Sequence, residues 1–298
     1  MIFFSKISEL KKVDLEVMMW GYMENVKSYF SAQLYEKYGR IFGSIWIASA
    51  YKGAMGELAY LTSIHHHYIN HISWIEVMRE KIKNNVVKFK GIAFTGWSRY
   101  DHFLVLCDLL PQAIPSLVYC MQTMQYGELN EEKKSQIQSS ILGCNNQVPW
   151  WNSWPQPVSL QDLYNLPNKC NFPGHELYTI VIRLDQTIQN VKPNLEFADK
   201  YLSDFQLNNN YIHKSRSLEV KSKLLGDYQS LNAFRKKFIQ ASQPIYNDDT
   251  IVEWLDVYFM PHFQKLYFKL SSLEKAYKEN DWKPRPLPVG LLDYPDSF

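Results

Sequence analysis

Short apolar runs in the first hundred residues end abruptly at polar and aromatic side chains, a pattern typical of buried parallel strands. We predict strands at residues 15–19, 44–48 and 90–95. Helical spacing follows each run, at about 28–38, 62–82 and from Tyr100 or Asp101 until Pro111 and Pro115 interrupt it. Three successive βα units predict a parallel sheet or barrel.

The pattern changes after about Gln125. Asn130 is placed to cap a short helix, and an irregular, proline-containing stretch follows at 144–174. Four helical segments are then predicted, at about 175–191, 195–207, 215–242 and 250–280, with a kink at Pro261 and an extended or disordered proline-rich tail. The chain therefore divides into an α/β part, 1–126, and an all-α helical domain, 127–298.

Each predicted strand carries a tryptophan, with a tyrosine soon after it. Ligands of α/β folds meet the carboxyl ends of the strands, so these rings are candidates for an aromatic-walled pocket. Rings with a few hydrogen-bonding groups suit a sugar, whose C–H faces are apolar and whose edges are hydroxyls. The alternative is that the rings only pack and that Asp101 caps a helix. The pairs are Trp20 with Tyr22, Trp46 with Tyr51, and Trp97 with Tyr100.

Three stretches resemble glycoside hydrolase family 20, the β-N-acetylhexosaminidases. They are SIWIASAYKGA at 44–54, HHYINH at 66–71 and above all TGWSRYDHF at 95–103, with weaker likeness at 252–255 and 261–263. The resemblance implies a TIM-type (β/α)8 barrel followed by a helical region. This chain would hold the C-terminal part of the barrel, roughly the last three of its eight units.

The resemblance also implies a retaining mechanism in which the substrate's own 2-acetamido group is the nucleophile. It makes Trp20, Trp46 and Trp97 candidate walls of a sugar pocket and Tyr22 the candidate hydroxyl that holds the acetamide. Asp101 becomes a candidate partner for sugar hydroxyls. The expected ligand is a glycan or glycoconjugate that contains N-acetylhexosamine. No cofactor and no metal are expected, and self-association is left open.

One family feature is absent from the sequence. The family's adjacent Asp-Glu pair follows an earlier barrel strand, and no Asp directly precedes a Glu in these 298 residues. We therefore assign no catalytic residue and expect the chain to begin partway round the barrel, with an apolar strand edge that favours aggregation. The resemblance implies hydrolysis of terminal β-linked N-acetylgalactosamine or N-acetylglucosamine. The alternatives are an inactive truncated barrel fragment and a helical interaction module.

Composition narrows the classes of function and location. A net charge of +2 with scattered basic residues argues against a nucleic-acid protein. The longest apolar region, 103–121, is interrupted by Asp108 and two prolines, so no membrane segment is predicted. The start of the chain lacks the apolar run of a signal peptide, and the four cysteines show no paired spacing. These features predict a cytoplasmic or nuclear protein rather than a secreted one.

Three further motifs have a structural and a functional interpretation. His67 and His71 lie one helical turn apart, which zinc could use, but apolar neighbours favour a structural role. Gly53 and Gly56 lack the lysine of a phosphate loop and predict a turn. The cluster WWNSW at 150–154 could stack sugars at an outer subsite, although a loop that packs on its own domain is favoured.

Overall fold

The computed structural model describes residues 15–85, 87–150, 167–279 and 284. Contacts divide the chain into two compact units. One comprises Met1–Asp185 and Phe238–Trp254, and the other comprises Gln186–Lys237 and Leu255–Phe298. The sheet belongs to the first unit.

Three parallel strands form the sheet in the order β1-β2-β3, as predicted. They are β1 Val17–Trp20, β2 Ser44–Ala50 and β3 Lys88–Thr95. Trp46 of β2 is aligned with Met18 on one side and Gly91 on the other, and an irregularity in the register between Ile45 and Trp46 leaves Lys90 without an aligned partner. A Cβ atom on Gly91 would lie 2.5 Å from the Trp46 ring, so glycine is needed where this indole crosses β3. Both barrels and open sheets contain such strands, and the barrel remains a prediction.

One face of the sheet is covered by a long helix. Met19, Ile45 and Ile47 pack with Trp74, which is fully buried in helix α3, Ile64–Lys83. The Trp74 indole N–H donates to the carbonyl of Gly21 at 2.9 Å. Side chains alternate along a strand, so Met18 and Trp20 lie on the opposite face, where they are exposed.

The helices of the first unit follow the predicted order. They are α1 Val26–Tyr29, α2 Ala32–Phe42, α3, α4 Leu110–Tyr126, α5 Glu131–Gln136, which continues into a π-helical turn at Ile137–Ile141, and α6 His175–Val181. Asn130 caps α5 as predicted, because its side chain accepts the Lys133 amide at 2.8 Å. Helix α7, Leu184–Asp199, begins at the end of this unit.

The predicted start of the helix after β3 is wrong. Residues 101–104 form a turn, the chain stays non-helical through Leu109, and α4 begins only at Leu110. The Asp101 carboxylate accepts the backbone amides of Phe103 and Leu104 and so caps a tight turn instead of a helix. Pro111 lies in the first turn of α4, where its fixed φ and missing donor favour a helix start.

The expectation that the cysteines are unpaired is also wrong. Cys144 and Cys170, which are 26 residues apart, form a disulfide. Backbone hydrogen bonds align the two segments, from the Asn145 amide to Lys169 O at 3.0 Å and from the Asn171 amide to Leu142 O at 2.8 Å. The pairing is therefore set by the fold rather than by spacing along the chain, which explains why spacing did not predict it.

The second unit is helical, as predicted. The predicted bounds 175–191 and 195–207 are wrong, because α6 ends at Val181 and α7 continues through Pro193 to Asp199. It contains most of α7 together with α8 Asp204–Asn208, most of α9 Lys214–Ser242, the end of α10 Asp248–Tyr258, and α11 Met260–Glu279. The sequence predicted one helix kinked at Pro261, but the structure has two helices, with Pro261 in the first turn of α11 just after α10 ends. The Lys269 ammonium is buried, where it donates to Leu202 O at 2.9 Å and pairs with Asp199 at 2.6 Å. Within the described ranges, no helix combines the length and apolarity that crossing a bilayer requires.

The disulfide gives a direct prediction. Thiol titration of the unfolded, unreduced protein should find two free thiols, those of Cys107 and Cys120. The variant with Cys144→Ala and Cys170→Ala should unfold more easily by about 3–4 kcal/mol, because a closed loop of this size restricts the unfolded chain. The variant with Cys107→Ala and Cys120→Ala is the control for cysteine loss and should have no free thiols. Four free thiols in the wild-type chain would contradict the pairing.

Candidate functional site

The candidate site lies at the carboxyl ends of the three strands. Hydrogen bonding continues past the strand ends, from the Gly21 amide to Ala48 O at 3.1 Å and from the Tyr51 amide to Thr95 O at 2.9 Å. The Thr95 hydroxyl donates back to Ser49 O at 2.6 Å. The three loops that leave this edge are therefore tied to one another before their functional side chains begin.

Three aromatic side chains meet above this edge. The rings of Tyr22 and Trp97 have centroids 5.0 Å apart, and those of Trp97 and Tyr100 have centroids 5.8 Å apart. The Tyr100 hydroxyl accepts the amide of Gly56 at 2.8 Å, which fixes it to the loop after β2. We call Tyr22, Trp97 and Tyr100 the aromatic cluster. It joins the loops after β1 and β3, as expected from strand-end positions.

A buried polar network lies next to the aromatic cluster. Asp108 is 3% exposed and Lys52 is 4% exposed. The Asp108 carboxylate accepts the Gly53 amide at 3.0 Å and the Thr62 hydroxyl, and it lies 3.9 Å from the Lys52 ammonium. Lys52 donates to the carbonyl oxygen of Trp97 at 2.5 Å. The network therefore positions the backbone that carries the Trp97 ring.

Burial raises the pKa of Asp108 despite the attraction of Lys52 and the hydrogen bonds that favour the charged form. The geometry of the loop after β2 also depends on a glycine. Gly53 has φ +79°, and a Cβ atom there would lie 2.8 Å from the Trp97 carbonyl oxygen. The sequence analysis noted Asp108 only because it interrupts an apolar run. A charged residue within an apolar run is the signal that could have revealed this buried carboxylate.

A second ion pair joins two stretches that carry the family resemblance. Arg99 lies within 95–103 and Glu253 within 252–255. Both terminal nitrogens of Arg99 donate to the Glu253 carboxylate, and the distance from Nη2 to Oε2 is 2.5 Å. Arg99 also donates to Leu104 O at 3.0 Å, and Glu253 accepts the Leu106 amide at 3.2 Å. The hydrogen bond from Arg99 lowers the pKa of Glu253. This pair fixes the loop after β3 within the first unit, and sequence spacing did not reveal it.

Two histidines of α3, His67 and His71, are fully buried. The His71 ring lies 2.8 Å from the Ser49 hydroxyl and 2.7 Å from His67 O, and it stacks on Phe94 with centroids 5.0 Å apart. Burial lowers the pKa of His71 to about 4 and that of His67 well below its ordinary value. Both rings are therefore neutral at pH 7 and serve the core. Across the residues that the structure describes, no three His, Cys, Asp or Glu side chains are grouped to hold a metal.

The other predicted wall residues are placed differently. Trp20 ends β1 and is 66% exposed. Trp46 is the third residue of β2, level with Met18, and its indole N–H donates to Glu16 at 2.6 Å, toward the amino end of the sheet. Trp46 therefore does not end its strand as the sequence suggested. Asp101 is exposed and its carboxylate is used by a turn. The sugar-binding roles proposed for the five residues, Trp20, Tyr22, Trp46, Trp97 and Asp101, stay predictions.

The ion pair between Arg99 and Glu253 should have a measurable coupling energy. In a double-mutant cycle with Arg99→Met and Glu253→Gln, we expect roughly 0.5–1 kcal/mol at pH 7, since the two side chains are 37% and 30% exposed. The folded state lowers the pKa of Glu253, so this stability is present above the ordinary value of 4.5 and is lost as the pH falls through the lowered pKa.

Urea unfolding of the four proteins between pH 3 and 7 measures this coupling. The cycle with Arg216→Met and Glu219→Gln, an exposed pair on α9, is the control and should give a smaller value. A coupling between Arg99 and Glu253 that is absent at pH 7, or that grows as the pH falls, would contradict the geometry.

No protein-family model matches the chain. Human hexosaminidase D is 26% identical over 267 residues, which cover 88% of this chain and 52% of the human protein. Bovine hexosaminidase D is 40% identical over 133 residues, which cover 44% of this chain and 37% of the bovine protein. The chain thus spans about half the length of the human relative. Its similarity to hexosaminidase D confirms the resemblance that the sequence motifs indicated.

Proposed function

We propose that this chain forms the sugar-holding part of a β-N-acetylhexosaminidase, a glycoside hydrolase that removes terminal β-linked N-acetylgalactosamine or N-acetylglucosamine. The single observation that carries the proposal is the contact between Tyr22 and Trp97 at the carboxyl ends of parallel strands. The similarity to hexosaminidase D supports the class of reaction. The substrate would be a glycan or glycoconjugate that ends in an N-acetylhexosamine.

In the proposed mechanism the 2-acetamido oxygen attacks the anomeric carbon while the bond to the leaving oxygen breaks. The Trp97 ring would lie against the C–H face of the sugar, and the Tyr22 hydroxyl would donate to the acetamide oxygen. Holding the acetamide in line with the anomeric carbon makes the attack intramolecular, which is where much of the rate gain arises. Lys52 and Asp108 would act through the backbone of Trp97 rather than on the substrate.

The proton for the leaving oxygen requires a carboxylic acid with a pKa near neutrality. No Asp directly precedes a Glu in the 298 residues, so we propose that this acid lies in polypeptide outside them. In this proposal 1–126 is the C-terminal part of a (β/α)8 barrel and 127–298 is the helical region after it. The exposed face that carries Met18 and Trp20 would then turn toward the barrel interior.

A second candidate is a protein that binds N-acetylhexosamine without hydrolysing it, and the missing acid pair favours it.

We also propose that the protein is located in the cytoplasm or the nucleus. The disulfide between Cys144 and Cys170 removes the support that cysteine spacing gave it. The sequence has no Asn-x-Ser/Thr acceptor, which is compatible with a location outside the secretory route.

Sugar binding by the chain tests the role of the aromatic cluster. Calorimetric titration with N-acetylgalactosamine should show binding that Tyr22→Phe weakens about fivefold, through loss of one hydrogen bond. Trp97→Ala should weaken it further, because the stacking surface is removed. The exposed Tyr29 provides a matched control, and Tyr29→Phe should bind like the wild type. Equal affinity in all four proteins would refute the assignment.

Hydrolysis tests where the acid lies. With an aryl N-acetyl-β-galactosaminide, this chain alone should release no aryl alcohol above background, because the proposed proton donor is absent. Turnover by the chain that Tyr22→Phe abolishes would show that the acid lies within the 298 residues, which would overturn that part of the proposal.

A further inference from the structure

A polar cavity lies in the first unit, among residues that the proposed hydrolase does not use. Its volume is about 230 Å³, and both α5 with its π-helical turn and the segment after Cys144 line it. The lining side chains are those of Glu131, Lys134, Ser135, Gln138, Gln147 and Trp150. Pockets for drug-sized ligands measure roughly 300–1,000 Å³, so this cavity suits a single small ring.

Trp150 is held as a wall of the cavity. Its ring meets the rings of Tyr119 and Tyr68 edge-on, with centroids 4.7 Å and 5.5 Å apart. The Tyr119 hydroxyl donates to Lys134 O at 3.3 Å, and Tyr68 accepts the Leu129 amide at 3.0 Å. Trp150 thus packs on its own domain, as the sequence favoured, and its side chain also lines the cavity, so the two interpretations do not exclude each other at this residue. The cluster's remaining residues, 151–154, lie outside the described ranges.

A backbone hydrogen bond and a disulfide hold the two segments that line the cavity. Gln138 lies in the π-helical turn, a local widening of the helix that is frequent at functional sites. Its carbonyl accepts the Cys144 amide at 2.9 Å. Gln147 and Trp150 follow within the loop that the disulfide between Cys144 and Cys170 closes. The backbone on both sides of the cavity is therefore held in place, and the Gln138 side chain also hydrogen-bonds to Tyr119.

The chemistry of the lining favours a neutral ligand. Glu131 and Lys134 pair at 2.8 Å, and the Lys134 ammonium lies 5.4 Å from the Trp150 ring centroid. An anion would meet the carboxylate of Glu131, and a cation would meet the ammonium of Lys134. Two primary amides and the Ser135 hydroxyl both donate and accept hydrogen bonds, as neighbouring sugar hydroxyls require. The indole supplies an apolar surface for the C–H groups of a ring.

We propose that this cavity binds one neutral sugar ring, as a second carbohydrate site that is distinct from the aromatic cluster. The ring would stack on Trp150 while Gln138 and Gln147 bond to its hydroxyls. This site does not depend on the proposed hydrolase activity, since none of its residues belongs to the candidate site at the strand ends. It would hold a sugar unit of a glycan whether or not another unit is cleaved.

Saturation-transfer NMR with N-acetylglucosamine and with galactose tests the proposal on the full chain. We expect transfer from the protein to both sugars and, in competition titrations, weaker binding of glucuronate and glucosamine than of the neutral sugars. Gln138→Ala and Gln147→Ala should each weaken binding of galactose about fivefold, as loss of one hydrogen bond requires. Both side chains are at least partly exposed, so these variants should fold, as their melting curves will verify.

Gln136→Ala is the matched control. Gln136 is exposed at the end of α5 and does not line the cavity, so this variant should bind galactose like the wild type. The proposal is overturned if galactose shows no transfer, or if Gln138→Ala and Gln147→Ala bind it as well as Gln136→Ala does.

Discussion

The arrangement of the strand-end loops depends on one buried carboxylate. The Asp108 carboxylate accepts hydrogen bonds from the Gly53 amide and the Thr62 hydroxyl and lies near the Lys52 ammonium. Lys52 in turn donates a hydrogen bond to the carbonyl oxygen of Trp97. A buried charge is costly unless it is paired and hydrogen-bonded, and losing one partner of such a pair costs about 3–5 kcal/mol. The network therefore favours a single arrangement in which the loops after β2 and β3 are fixed together and Trp97 can face Tyr22.

Local sequence pattern predicted the elements well where one physical signal dominated. Apolar runs located all three strands, and Pro261, where a kink was predicted, lies where the structure divides one predicted helix into two. The same reasoning misplaced the helix after β3. Apolar residues at helical spacing from Phe103 suggested an early start. The Asp101 carboxylate instead accepts two backbone amides in a turn, and the helix begins at Leu110, with Pro111 in its first turn.

The candidate site was predicted in part. Strand-end position predicted that Tyr22 and Trp97 lie at the same edge of the sheet, where their rings meet, whereas Trp46 lies too early in β2 and bonds to Glu16. Three pairs that join distant parts of the chain were missed. Lys52 with Asp108, Arg99 with Glu253 and Cys144 with Cys170 have no characteristic spacing, and only the fold brings each pair together. The family resemblance did mark both partners of the second pair, since it covered 95–103 and 252–255.

Fluorine NMR of protein labelled with 5-fluorotryptophan tests most directly whether Asp108 positions Trp97. The Trp97 and Trp74 resonances can be assigned from Trp97→Phe and Trp74→Phe. In Asp108→Asn the Trp97 resonance should shift or broaden, because the loops lose their shared anchor, while the resonance of Trp74 in the core should stay unchanged. A Trp97 resonance with the same position and width as in the wild type would contradict the account.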